Sequence, residues 1–192
     1  MEEILEQLFN SRARAKTLKL LFRNEENEFQ VNEISNRIQV DYYATRREIL
    51  KLEKLGIVLS FKKRGQKVYS LNREFEFVTE LRTLIMKSAP IAREKLVGKL
   101  SKLGRFKLVL ISGVFINTKS SRIDLFLVGD GVREKKLETF LKDIEADVGK
   151  EIDYVLFDPD EFKYRRGMFD RFITEVLEGP KKVLVNRLGL AI

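Results

Sequence analysis

Hydrophobic residues between positions 41 and 55 recur with the period of an α-helix. They lie four, three and three residues apart, which predicts one buried stripe along the helix. Asp41 can cap the first turn and Gly56 can end the helix, and a shorter helical pattern precedes them at residues 31–38. The predicted stripe consists of Thr45, Ile49, Leu52 and Leu55. The opposite face, expected in solvent, consists of Tyr42, Tyr43, Arg46, Arg47 and Leu50.

After Gly56 the pattern changes to that of β-strands. Residues 57–61 and 67–72 predict the two strands of a hairpin, and Gly65 supplies the turn between them. The tip, residues 61–67, reads FKKRGQK. The sequence therefore predicts helix, turn, helix and hairpin in that order.

Residues 73–103 are mostly helical in pattern, with a break at Pro90. An apolar stripe there consists of Phe77, Leu81, Leu84 and Ile85. Two interpretations remain open for this region. Its helices pair across a dimer, or they only link and support two domains.

The pattern changes class again from Arg105. Strands are predicted at residues 106–111, 123–128 and 152–157, with a turn at Ser112 and Gly113 and a helix at 132–147. The rest of the chain is predicted to be helical until a last apolar run at residues 183–185. We therefore expect an α+β protein of two domains, with an α/β unit on a small mixed sheet in the second. The predicted boundaries are 1–75, a helical linker or dimerisation region at 76–103, and 104–192.

Composition fits a folded protein rather than a disordered chain. The 192 residues are 44% hydrophobic and 34% charged, with only 3 Pro and 11 Gly. The first eight residues carry three glutamates, unlike a signal peptide, and no apolar stretch is long enough to span a bilayer. These features predict a cytoplasmic protein without membrane contact.

Positive charge is concentrated between Arg46 and Lys67. This segment holds eight basic and two acidic residues, although the whole chain carries only +8. Such a cluster suits a polyphosphate partner, and the order of elements matches a known way of docking on double-stranded DNA. The alternative is a solvated helix face beside a lysine-rich turn. The candidate DNA-binding residues are Tyr42, Tyr43, Arg46, Arg47, Lys51, Lys62, Lys63, Arg64 and Lys67.

Three runs carry a family resemblance: residues 31–38 (VNEISNRI), 48–58 (EILKLEKLGIV) and 64–72 (RGQKVYSLN). Together they resemble an ArsR-like winged helix-turn-helix regulator over about the first 75 residues. The resemblance implies a helix in the major groove, a wing on the adjacent backbone, and a homodimer on a roughly palindromic operator. Many such regulators sense metals through cysteine. With no Cys and no His in this chain, we expect no soft-metal sensing and no cofactor.

The second half resembles the nucleotidyltransferase-like domain of the DNA polymerase β superfamily. In that family a strand ends in Gly-Ser, and a later strand carries two aspartates that hold Mg²⁺ from one face. The matching positions here are Gly113-Val114, Arg122-Ile123-Asp124, and Asp153 as the third acid. Val114 replaces the phosphate-binding Ser and Arg122 replaces the first carboxylate. We therefore expect no transferase activity, with Arg122 pairing with the two remaining acids.

A structural role for Asp124 and Asp153 is one interpretation, as a salt bridge or a strand-end hydrogen bond. Residual binding of a nucleotide or another anionic ligand is the other. Its candidate residues are Ser112, Gly113, Lys119, Arg122, Asp124 and Asp153. Residues 158–166 carry acidic residues first and basic residues last, an order that complements the dipole of a helix. We expect a helix that begins with Pro159 after Asp158, and we assign no chemical role to it.

These patterns favour a sequence-specific DNA-binding transcriptional regulator, whose second domain supports a dimer or senses a ligand. Two alternatives stay open. One is an active metal-dependent nucleotidyltransferase with the winged helix as a targeting module. The other is a protein-interaction module, which the basic hairpin disfavours.

Overall fold

The computed structural model describes residues 4–88, 93–118 and 120–192, of which 93–95 by their backbone only. The chain divides into two compact units. The first comprises residues 1–89 together with 143–150, and the second comprises residues 90–142 and 151–192. Both helices and two separate sheets are present, which confirms the α+β class.

The first unit is built from helices followed by a two-stranded antiparallel sheet. Its elements are α1 (Ile4–Leu8), α2 (Arg12–Arg23), α3 (Val31–Ile38), α4 (Tyr42–Lys54), β1 (Val58–Lys63), β2 (Gln66–Leu71) and α5 (Val78–Lys87). The predicted order of helix, turn, helix and hairpin is confirmed. Phe29 extends the sheet by exchanging both backbone hydrogen bonds with Tyr69, at 2.9 and 2.8 Å.

Local signals explain where α4 and the hairpin turn lie. The Asp41 side chain accepts a hydrogen bond from the backbone N–H of Ala44 at 2.9 Å, so the predicted cap is confirmed. Arg64 and Gly65 form the hairpin turn with φ of 49° and 80°. Two positive φ values in a two-residue loop match the right-handed twist of the strands on either side.

The core of the first unit lies between the helices and one face of the hairpin. Ile49 and Leu52 of α4 are buried in it, and Thr45 is buried beside them. Leu55 was predicted to belong to this stripe, but it is 60% exposed. The helix ends at Lys54 and the chain turns at Gly56 with φ of +76°, so Leu55 lies past the packed part of the helix.

Residues 143–150 complete the first unit by packing against α2. Asp147 contacts the ammonium of Lys16 at 2.8 Å, and its carbonyl oxygen accepts a hydrogen bond from Lys19 at 3.0 Å. The carbonyl oxygen of Gly149 accepts a hydrogen bond from the Asn24 amide at 2.8 Å. Gly149 has φ of +83°, and a Cβ there would lie 2.7 Å from the Leu20 nitrogen. The close approach of the Gly149 backbone to the backbone of α2 therefore requires glycine.

The second unit contains a four-stranded mixed sheet. The elements from residue 93 onward are α6 (Arg93–Leu100), β3 (Arg105–Ile111), β4 (Leu125–Asp130), α7 (Glu134–Val148), β5 (Tyr154–Phe157), α8 (Pro159–Gly167), α9 (Arg171–Glu178) and β6 (Lys182–Asn186). The last residues of α7 belong to the first unit. The sheet order is β5-β4-β3-β6, with β4 and β5 parallel and the other pairs antiparallel. The predicted mixed sheet is confirmed.

Phenylalanines form much of the core on one side of this sheet. Phe126 of β4 packs against Phe157 at 5.5 Å and against Phe162 at 5.9 Å between ring centroids. Leu108 and Leu110 of β3 join the same cluster. Alternate residues of β3 and β4 thus bury one face against α8 and α9.

The helical region predicted at 73–103 contains α5 and α6. Ile85 is the fully buried member of its predicted apolar stripe, whereas Phe77 is 53% exposed because it stands just before the first residue of α5. Pro90, the predicted break, lies outside the described residues.

Candidate nucleic-acid interface

The two faces of α4 differ sharply in exposure. Thr45, Ile49 and Leu52 are buried, while the predicted outward face lies in solvent. That face comprises Tyr42, Tyr43, Arg46, Arg47 and Leu50. Tyr43 is 77% exposed and meets the ring of Tyr42 edge to face at 5.5 Å. Guanidinium forks and aromatic rings on one helix face can reach phosphates and base edges together.

Glu48 is a functional candidate that pattern reasoning missed. Its carboxylate, only 3% exposed, lies on the inner side of α4 and accepts hydrogen bonds from Arg14 and Lys51, each at 2.8 Å. Burial would raise the pKa of Glu48, but the hydrogen bonds from Lys51 and Arg14 outweigh it and hold the pKa below its ordinary value. An ionised Glu48 therefore joins α4 to α2.

Two of the predicted contact residues adjoin this carboxylate. Lys51 donates directly to Glu48, and the Arg47 guanidinium lies 3.9 Å from it. Arg47 is nevertheless exposed. The carboxylate thus orients cations at the edge of the exposed face, and Arg46, Arg47, Lys51 and Lys54 are the basic residues that α4 exposes to solvent.

The hairpin tip carries the second group of predicted residues. Lys62, Lys63, Arg64 and Lys67 are all exposed. Lys63 pairs with Glu28 at 2.5 Å, and Lys67 pairs with Glu53 at 3.1 Å. The hydrogen bond to Glu53 raises the pKa of Lys67 above its ordinary value.

Glu53 fixes the hairpin to the end of α4. Hydrogen bonds from Ser60 and from Lys67 hold the pKa of Glu53 below its ordinary value, against a smaller opposing effect of burial. Glu53 belongs to α4 and its two donors belong to β1 and β2, so this carboxylate links the end of the helix to both strands of the hairpin.

In the second unit, Asp124 is bonded to backbone groups. Its carboxylate accepts hydrogen bonds from the backbone N–H of Val114 at 2.7 Å and of Asp153 at 3.1 Å, and it is 5% exposed. Gly113 has φ of +50°, and a Cβ there would lie 1.9 Å from Oδ1 of Asp124. Ser112 adds hydrogen bonds to the backbone carbonyls of residues 123 and 124. Asp124 therefore holds the short helical turn Gly113–Phe115 against β4.

Arg122 does not pair with Asp124 and Asp153 as expected. Its guanidinium contacts Glu175 of α9 at 2.5 Å and lies over the ring of Phe172. Hydrogen bonds from Arg171 and from Arg122 lower the pKa of Glu175. Helix α9 thus supplies an acid that the sequence pattern did not connect to Arg122. Lys119, the remaining predicted ligand residue, lies outside the described residues.

The described residues include neither a candidate metal cluster nor a candidate membrane-spanning helix. Within residues 4–88, 93–118 and 120–192, no cluster of three or more acidic side chains is placed to hold a metal ion. Among the helices that the structure describes, none has both the length and the apolar character needed to cross a bilayer.

Comparison with known proteins gives one structural likeness. No protein-family model and no curated protein matches the chain. The solved structure of reduced HlyU from Vibrio cholerae N16961 is similar over 42% of this chain and 90% of its own, at 23% identity and a TM-score of 0.29. At that TM-score the likeness carries no argument about function.

Proposed function

We propose that this protein is a DNA-binding transcriptional regulator of the cytoplasm. The observation that carries the proposal is the exposed face of α4, where Arg46 and Arg47 stand beside Tyr42 and Tyr43 while the opposite face is buried. In this proposal the first unit is an ArsR-like winged helix, and α4 enters the major groove of double-stranded DNA.

The hairpin supports the same proposal. Its tip extends the positive charge beyond α4 through Lys62, Lys63 and Arg64. A cation at a hairpin tip can contact phosphate without reading sequence, whereas α4 can read base edges. Glu53 connects both strands of the hairpin to the end of α4. We assign specificity to α4 and a sequence-independent share of affinity to the tip.

The test of this function is a selection of genomic DNA fragments with the full chain, followed by anisotropy titrations of the selected site. Arg46→Ala combined with Arg47→Ala is expected to weaken binding at least about thirtyfold, since each lost base or phosphate contact costs about 1–3 kcal/mol. A double substitution of Lys135 and Lys136 to Ala removes the same charge from α7 and is the matched control. Unchanged affinity in the first variant would overturn the assignment of α4.

We further propose that the protein acts as a homodimer. Phe77 and Leu84 of the α5 region are exposed apolar side chains in the first unit, and covering them would remove apolar surface from water. A dimer would also match the symmetry of a palindromic site.

For the second unit we propose a catalytically degenerate nucleotidyltransferase-like domain that does not act as an enzyme. The bonding of Asp124 supports this, because both of its oxygens already accept backbone N–H groups. Its proposed role is to support the dimer or to sense an anionic ligand. Ser112, Gly113, Arg122 and Asp153 remain candidate ligand residues in this proposal.

A further inference from the structure

A groove of about 680 Å³ opens in the second unit beside α8. Its lining includes Lys107, Phe162, Lys163, Arg166, Phe169 and Leu190. This volume lies within the range of small-molecule sites, about 300–1,000 Å³, and such sites combine apolar walls with a few polar groups. The described lining residues include none from α4 and none from residues 112–124.

The charge of the groove is positive. Three basic residues, Lys107, Lys163 and Arg166, are among its lining residues, and Asp160 is the one acidic residue among the described lining residues. Lys107 lies 3.8 Å from Asp130, at the limit of an ion pair. Among the residues that the structure describes, no carboxylate lies within ion-pair distance of Lys163 or Arg166. An anion is therefore the complementary ligand.

The neighbouring Arg165 shows that this pattern differs from a uniformly charged helix. Arg165 pairs with Glu161 at 2.9 Å and lies 3.7 Å from Asp170. It also stacks over the ring of Phe157. Glu161 and Asp170 thus neutralise Arg165, whereas Lys163 and Arg166 line the groove.

Phe169 stands at the rim of the groove in an unusual backbone conformation. Its φ is +55°, a region that phenylalanine rarely adopts, and its side chain is 87% exposed. The backbone N–H of Asp170 donates to the carbonyl of Arg165 at 3.1 Å, which closes the end of α8 around Phe169. Glycine is the usual residue at this position of a helix end.

Packing within the fold does not explain a phenylalanine there, because the ring is almost fully in solvent. A strained and exposed aromatic residue beside a groove is typical of a ligand contact, since the strain is retained where a function requires the side chain. Phe162, a buried core residue, also lines the groove.

We propose that this groove binds a small organic anion, with its charged group at Lys163 and Arg166 and its apolar body against Phe169. A nucleoside phosphate and a fatty acid each combine a negatively charged group with an apolar body, so the experiment includes both. The proposal does not depend on DNA binding by the first unit, which is measured separately on the same samples.

The experiment titrates the full chain with AMP, decanoate, inorganic phosphate and a ten-residue oligothymidylate by calorimetry. Binding of AMP or decanoate at least about tenfold tighter than inorganic phosphate is expected, because the apolar body adds buried surface. The proposal is overturned if neither binds below about 1 mM. It is equally overturned if inorganic phosphate binds as tightly, or if only the oligonucleotide binds.

Variants then locate the site. Lys163→Glu and Arg166→Glu are each expected to weaken binding by about tenfold or more, because each replaces an attractive charge by a repulsive one. Lys136→Glu, on the exposed side of α7, makes the same change outside the groove and is expected to leave affinity unchanged. Equal losses in all three variants would contradict the location.

Phe169→Gly separates a ligand contact from a structural role. Glycine adopts positive φ without strain, so this variant is expected to keep or raise the Tm, by about 2 °C, while it weakens binding severalfold. A lowered Tm would assign Phe169 to packing and contradict its role in the groove. Unchanged affinity would contradict it as well.

Discussion

The ammonium of Lys16 lies 2.8 Å from the carboxylate of Asp147 and 3.2 Å from the carbonyl oxygen of Ile38. Lys16 is only 2% exposed, so one buried cation joins the end of α3 to the end of α7 within the first unit. A buried charge with well-placed partners is costly to disturb, because the group left behind loses both water and its partner. The folding of the first unit therefore depends on residues from far along the chain.

Asp147→Ala is expected to destabilise the protein by about 2–4 kcal/mol, because it leaves the Lys16 ammonium buried without a counter-charge. Urea unfolding followed by circular dichroism measures the loss. Arg12→Ala is the matched control, since its 3.6 Å contact with Glu6 involves a largely exposed guanidinium. A change below about 0.5 kcal/mol is expected there. A similarly small change in Asp147→Ala would contradict the buried pair.

Glu48→Gln is expected to lower stability by about 2–4 kcal/mol at neutral pH, because an amide cannot hold Arg14 and Lys51 as a carboxylate does. The pH dependence has a defined sign. The folded-state pKa lies below the ordinary 4.5, so Glu48 stabilises the fold above that pH and loses the effect as pH falls through the lowered pKa.

Unfolding measured from pH 7 to pH 3 checks this sign. The loss of stability below about pH 4.5 is expected to be shallower in Glu48→Gln than in the parent. Glu33→Gln removes a half-exposed carboxylate that pairs with Arg37 at 3.5 Å and is the control. Parallel pH curves for Glu48→Gln and the parent would rule out a role for Glu48 ionisation.

Gly113→Ala tests the contact with Asp124. The new Cβ would lie 1.9 Å from Oδ1, and the backbone there has φ of +50°. Steric overlap and loss of the carboxylate's hydrogen bonds are together expected to cost at least about 3 kcal/mol. Gly131→Ala is the matched control, because Gly131 has φ of +60° and open space around its Cβ position. Thermal unfolding is expected to show a cost of about 1 kcal/mol for the control.

Leu84→Glu tests the proposed dimer surface. Placing a carboxylate in an apolar contact is expected to shift a dimer toward monomer by at least about tenfold in dissociation constant. Sedimentation equilibrium measures the shift. Thr83→Glu, one residue away and also exposed, is expected to change it little. A parent protein that is monomeric at all concentrations would refute the dimer.

Lys62→Ala and Arg64→Ala test the hairpin tip. If each cation contacts a phosphate, each substitution is expected to reduce the slope of log K against log salt by about one while leaving sequence preference intact. Anisotropy titrations at several salt concentrations give the slope. An unchanged slope in both variants would remove the tip from the DNA contact.

Local chemistry made part of this fold predictable. The Asp41 cap depends on a contact three residues away, and the turn at Gly65 depends on two adjacent residues. Glu48 and Lys16 were not predictable in the same way, because a charged residue within a helix is normally expected in solvent. Their partners lie 34 and 131 positions away, at Arg14 and Asp147, and only the tertiary fold brings them together.

The candidate sites differ in the same way, between features set within one element and features set by the tertiary fold. The outward face of α4 follows from helical periodicity, which operates within one element. Arg122 was assigned to Asp124 and Asp153 because the pattern placed them near each other, but its carboxylate partner is Glu175, 53 residues away. A strand-end hydrogen bond was one interpretation of Asp124 from the sequence, but the pattern did not identify its two donors, the backbone N–H groups of Val114 and Asp153.

The register of the hairpin places Lys62 directly opposite Lys67. Cross-strand neighbours project to the same face, so these two ammonium groups repel each other near the end of a short ribbon. Glu53 offsets the charge of Lys67 alone. A polyanion lying along that face would remove the remaining repulsion. The hairpin is therefore expected to be more resistant to backbone hydrogen exchange when a polyanion is bound than when the protein is alone.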